Sequence, residues 1–134
     1  MSERLDRYIN PENIAQPTGY SHVVETRGNR TIYISGQVAL DRHGNVVGIH
    51  DMKAQAEQIF QNLQAALAGV NATFDDVVKL TYFVVDISQM QVIRDVRNQY
   101  LNLTRLPAST AVEVKGLVRK EFLLEIEAIA VLYD

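Results

Sequence analysis

Apolar and polar positions change period several times along the chain, and each change marks an element. "TIYIS" (31–35) and "TYFVV" (81–85) are rich in β-branched and aromatic residues and read as strands, as does "HVVET" (22–26), which runs into the turn Arg27-Gly28-Asn29-Arg30. That turn predicts a hairpin between the first two strands. A second turn is expected at Asp41-Arg42-His43-Gly44-Asn45. From Met52 the period lengthens: Met52, Ala56, Ile59, Phe60, Leu63, Ala66, Leu67 and Val70 recur at steps of three and four, the stripe of a helix of about five turns with Asp51 as its N-cap. A shorter helix is predicted over 88–101, capped by Ser88, with Met90, Ile93, Arg97 and Tyr100 along one side.

The last segment alternates again. Phe122, Leu124, Ile126, Ala128, Ala130 and Leu132 share one face, and Leu123, Glu125, Glu127, Ile129 and Val131 share the other. A strand apolar on both faces belongs in the middle of a sheet, covered by helices on one side and by something else, such as another subunit, on the other. The order ββαβαββ then predicts an α+β fold, a mixed sheet with two helices packed on one face. An uncovered apolar face argues for association.

The length of 134 residues suits one domain, 1–134, and 47% apolar with 22% charged residues is a globular composition. Without cysteine there is no thiol nucleophile, disulfide or thiolate metal site. The opening "MSERLDRYINPEN" has no signal-peptide core, and no apolar run is long enough to span a bilayer, so no membrane partner and a cytoplasmic location are expected. A net charge of −3, with cations spread along the chain, disfavours nucleic acid as the main ligand.

His22, His43 and His50 lack ligand spacing, so no metal site is expected, and no phosphate-binding glycine loop is present. Glu125 and Glu127 are the best chemical candidates. They lie two residues apart on one strand face, where partial burial would raise a carboxyl pKa toward the range a general acid/base needs. The alternative is an ordinary strand with two solvated or ion-paired positions, and spacing alone favours it. Tyr20, following Pro17-Thr18-Gly19, is placed to meet a ligand or to pack as a core aromatic. Ser109 has no neighbouring His or Lys in sequence to activate it as a nucleophile.

Taken in order, "GYSHVVE" (19–25), "YISGQVALDRHGNVVG" (33–48), "QAEQIFQNLQAALAGVNATFDDVVKLTYFVVD" (55–86), "RNQYL" (97–101), "LPASTAVEV" (106–114) and "EIEAIAVL" (125–132) resemble the RidA/YjgF family of enamine/imine deaminases over nearly the whole chain. The resemblance implies a chorismate-mutase-like subunit, a homotrimer with clefts between subunits, and cofactor-free hydrolysis of a small-molecule imine or enamine to a carbonyl compound and ammonia. It also implies that Tyr20, Gly36 and Glu125 line the cleft, and that the Ala111 carbonyl and Glu125 place the attacking water. The family motif reads Pro-Ala-Arg-Ser/Thr, its arginine clamping the substrate carboxylate. Here the text is Pro107-Ala108-Ser109-Thr110, so altered specificity is expected. Arg97, Arg105, Lys115 and Arg119 are the candidate replacement cations, Arg97 foremost. A non-catalytic metabolite-binding role in the same cleft is the alternative, and the ribonuclease or translation-inhibitor activity of some family members fits the acidic charge less well.

Overall fold

The computed structural model describes residues 4–134. In chain order it contains strands β1 (Arg7–Ile9), β2 (Val23–Glu25) and β3 (Arg30–Gln37), helix α1 (Met52–Ala68), strand β4 (Val77–Val84), helix α2 (Met90–Arg97), and strands β5 (Ala108–Glu113) and β6 (Leu124–Leu132). Four strands form the main sheet in the order β3-β6-β4-β5. β6 is antiparallel to both neighbours, and β4 and β5 are parallel. A parallel pair needs a crossover between its strands, and α2 is that crossover.

β6 is central, as its two-sided pattern requires. Leu124, Ile126, Ala128 and Ala130 are buried on the helix side with Leu80, Tyr82 and Val84 of β4. Ala56, Ile59, Phe60, Leu63 and Leu67 of α1 and Met90, Ile93 and Val96 of α2 close the same core. Both helices therefore cover one face of an α+β sheet. The other face is mixed rather than uniformly apolar: Tyr33, 78% exposed, and Ile129 lie among Lys79, Thr81, Thr110, Glu125 and Glu127. Asp51 caps α1, its side chain accepting from the Ala54 amide.

Three expectations are corrected. The hairpin between "HVVET" and "TIYIS" does not form, because β2 pairs with β1 and β3 pairs with β6. The physical reason is a crossing at the end of the sheet. Ser21 bridges Ala108 at the β5 edge and donates to the Leu106 carbonyl, whereas Asn29 already donates to the Leu132 carbonyl beside β3. A four-residue turn cannot fold back while the chain spans that distance. β1 accordingly adds a strand to the expected order. The second helix is also shorter than 88–101: a 3-10 turn, Ile87–Gln89, precedes α2, and Asp86 rather than Ser88 is its cap.

Candidate functional site

The pairing register divides the candidate residues between two faces. Ser109 pairs with Leu80 and Ala111 with Tyr82, so both side chains point to the helix side of β5. Glu125 pairs with Phe83 and points to the opposite face. β4 lies between their strands, which places β5 and β6 about 10 Å apart within the sheet. Within one chain, Glu125 and Ser109 cannot touch the same small molecule.

Gly36 belongs with Glu125. A register shift between Ile34 and Gln37 bulges β3, and the backbone there meets the Glu125 side chain: a methyl group on Gly36 would lie 2.7 Å from its carboxyl carbon Cδ. Glu125 is half-buried and Glu127 exposed, so the two carboxylates differ in environment although they share a face.

The second group surrounds a cavity of about 160 Å³ between β5, α2 and the loop before β2, lined by Thr18, Gly19, Tyr20, Tyr82, Met90, Arg94, Arg97, Ser109 and Ala111. Arg97 is buried at 8% exposure, and its Nε and Nη2 donate to Asn98 Oδ1 at 3.1 and 3.0 Å. Gly19 adopts φ +78°, and a Cβ there would fall 2.9 Å from Arg97 Nη2, so only a glycine lets the Tyr20 loop lie against the guanidinium. Tyr82 is 1% exposed, and its hydroxyl makes no well-formed hydrogen bond although the Arg97 guanidinium lies close enough to interact with it. Burial pushes this phenol up to about 12, with the Arg97 charge pulling the other way. The hydroxyl is therefore a proton donor throughout the neutral range.

A wider hollow of about 640 Å³ adjoins Gly19 and Tyr20 and is walled by Pro11, Ile14, Pro17, Leu103 and Leu106 with Asn10, Gln16 and Thr104. The Tyr20 and His22 rings meet edge to face, their centroids 5.4 Å apart, and His22 Nε2 lies 2.6 Å from the Ala15 carbonyl. Arg105 stands apart from both groups and pairs with Asp75 at 3.5 Å. Arg119 lies over the Phe122 ring and pairs with Glu121, and Lys115 lines a separate hollow beside Gly116.

Tyr82, Gly19 and Arg94 were not candidates from sequence. Arg94 was accessible in principle, since it precedes Arg97 by three residues and shares its helix side. Tyr82 carried no signal, because its ring satisfies the strand pattern whatever its hydroxyl does.

Comparison with known proteins fits this geometry to a family. Residues 11–132 match the family model described as endoribonuclease L-PSP. The chain is 34% identical over 127 residues to a RutC family protein of Pyrococcus horikoshii, covering 94% of this chain and 98% of that one. It is 31% identical over 132 residues to the human 2-iminobutanoate/2-iminopropanoate deaminase, covering 98% and 93%. A crystal structure from Yersinia pestis, described as a protein of unknown function of the conserved Rid family, superposes with a TM-score of 0.84 at 36% identity, covering 95% of this chain and 98% of that one. Fold and site thus define an α+β protein of the RidA type. The chain belongs to the RidA/YjgF family. Among the described residues, no helix is long and apolar enough to cross a membrane.

Proposed function

We propose that this protein is a cytoplasmic imine/enamine deaminase of the RidA type, converting a reactive C=N compound and water to a carbonyl compound and ammonia, with specificity altered by Ser109. The supporting observation is the contact between Gly36 and Glu125 on the sheet face away from the helices. It sets one half-buried carboxylate against the side-chain-free backbone of β3, where a small planar substrate can meet both.

In this reading Glu125 takes a proton from water as the water oxygen adds to the imine carbon, and the same proton passes to nitrogen. Collapse of the resulting carbinolamine expels ammonia and leaves the carbonyl. The Ala111 carbonyl helps to hold the water, and Tyr20 and Ser109 hydrogen-bond the ligand. Because the Glu125 and Ser109 groups face opposite ways, a complete cleft requires a neighbouring copy to bring one group against the other. A homotrimer with three such clefts meets that requirement. The family description names a ribonuclease, but a net charge of −3 with dispersed cations disfavours RNA as substrate.

The test is release of 2-ketobutyrate from 2-iminobutyrate, generated in situ by threonine dehydratase, with semicarbazide as competing trap. Acceleration by the wild type and a fall of roughly 10²-fold or more in Glu125→Gln are expected. Full turnover by Glu125→Gln removes the proposed role. Saturable metabolite binding without any turnover favours a non-catalytic binding protein.

A further inference from the structure

The loop between β1 and β2 carries Tyr20, and the chain is anchored on either side of that residue. Gly19 lies against the Arg97 guanidinium. Ser21, 5% exposed, donates through its amide to the Pro107 carbonyl at 3.1 Å and through its hydroxyl to the Leu106 carbonyl at 2.6 Å. These contacts fix the Tyr20 backbone and leave its ring to turn about χ1 and χ2.

The direction of the ring is set by His22. The two rings meet edge to face with centroids 5.4 Å apart, a geometry that adds attraction to the packing. A carbonyl oxygen only accepts, so the 2.6 Å contact with Ala15 is a bond donated by His22 Nε2. The His22 amide donates in turn to Asn10 Oδ1 at 2.8 Å. One residue thus grips the loop at Asn10 and Ala15 and packs against Tyr20.

Tyr20 and Gly19 line both the cavity of about 160 Å³ on the helix side of β5 and the hollow of about 640 Å³ walled by Pro11, Ile14, Pro17 and Leu106. The half-buried Tyr20 ring therefore stands between a small space and a large one.

We propose that His22 is a positioning residue: through its bond to Ala15 and its ring contact it holds Tyr20 as this partition, and so limits the length of the substituent on the imine carbon. The limit rests on the deaminase reading, whereas the hold of His22 on Tyr20 is a property of the loop alone. With the ring fixed, the substituent ends at Tyr20. With the ring released, the cavity opens into the hollow, whose Pro11, Ile14, Pro17 and Leu106 accept an apolar group.

The test compares 2-iminobutyrate, made by threonine dehydratase, with 2-imino-3-phenylpropanoate, made from phenylalanine by an L-amino acid oxidase, each against semicarbazide, in wild type, His22→Ala and His22→Gln. Wild type should prefer the short imine by kcat/KM. In His22→Ala that preference should narrow about 10-fold or more, through a higher KM for the short imine and a lower one for the long. His22→Gln, whose amide donates to Ala15 as the imidazole does, should stay within about 3-fold of wild type. An equal loss for both imines is what a merely structural role produces, and it overturns the proposal, as does a glutamine variant as altered as the alanine one.

A second readout needs no substrate. In protein labelled with 13C-tyrosine, the order parameter of the Tyr20 ring, assigned with Tyr20→Phe, should fall below about 0.6 in His22→Ala while the packed rings of Tyr82 and Tyr100 stay rigid. An unchanged Tyr20 ring overturns the proposal. The two readings fail separately. A mobile Tyr20 ring in His22→Ala, with no turnover of either imine by wild type, leaves the hold and removes the deaminase, whereas turnover with an unchanged preference does the reverse.

Discussion

The backbone of Gly36 lies against the carboxylate of Glu125 so closely that any side chain at position 36 would displace it. The bulge in β3 creates this approach, and it needs a glycine for space rather than for an unusual φ. Gly36→Ala should therefore act as an indirect Glu125 variant. Imine turnover should fall about 10-fold or more while circular dichroism stays unchanged, since a misplaced carboxylate loses its alignment with water. Wild-type turnover in Gly36→Ala would separate Glu125 from the chemistry.

Position 109 tests the cavity on the helix side of the sheet. An arginine placed there points to the helix side of β5, into the cavity that already holds Arg97 and Arg94. Three like charges around so small a space repel one another, and salt screens part of the repulsion. Ser109→Arg should melt below the wild type at low ionic strength, with the gap narrowing as salt is added. A gap independent of salt would place the new side chain outside the cavity.

How far the sequence carried depended on whether a residue's environment is set by its own element. The α1 stripe, the Asp51 cap and the two-sided pattern of β6 are local, and each was legible as periodicity. The pairing partner of β2 was not, because Val23–Glu25 is compatible with either neighbour and the choice is made by Ser21 and Asn29 anchoring at opposite edges of the sheet. Of the candidate residues, Glu125 was marked by its place in an apolar strand and Arg97 by its side of the helix, whereas Gly36 and the cleft role of Tyr20 came only from the family resemblance. Their division between two faces emerges only from register, since one residue of slip between β4 and β5 would turn Ser109 to the Glu125 side.

Gln55 is a polar residue that the helical stripe omits, yet it is fully buried. Its Nε2 donates to the Gly48 and Glu121 carbonyls at 3.0 and 2.8 Å, and its Oε1 accepts from the Leu123 amide at 2.9 Å. It thereby fastens α1 to the chain entering β6, two residues before Glu125. Gln55→Leu keeps the volume but strands the Glu121 carbonyl and the Leu123 amide. A loss of about 2–4 kcal/mol is expected, read as a lower urea midpoint with an unchanged m-value. A loss under about 0.5 kcal/mol would mean that water or a shift of the chain replaces these bonds.

The N-terminal segment is held by a carboxylate whose effect should vanish in acid. Burial pushes the Asp6 carboxyl up, but hydrogen bonds from Tyr133, Arg4 and Thr26 and the Arg4 charge outweigh it and hold it below its ordinary value of 3.8. Arg4 also pairs with Asp76 and donates to the Val131 carbonyl, so Asp6 ties the start of the chain to the end of β6. For a carboxyl depressed by folding, the stabilisation is present above the unfolded value and disappears as pH falls through the folded one. Asp6→Asn keeps the acceptor for Tyr133 and removes only the charge. Urea midpoints should therefore show the wild type ahead of Asp6→Asn at neutral pH and the two converging below about 3.8. A gap that persists at lower pH would assign the effect to the shape of the side chain rather than to its ionisation.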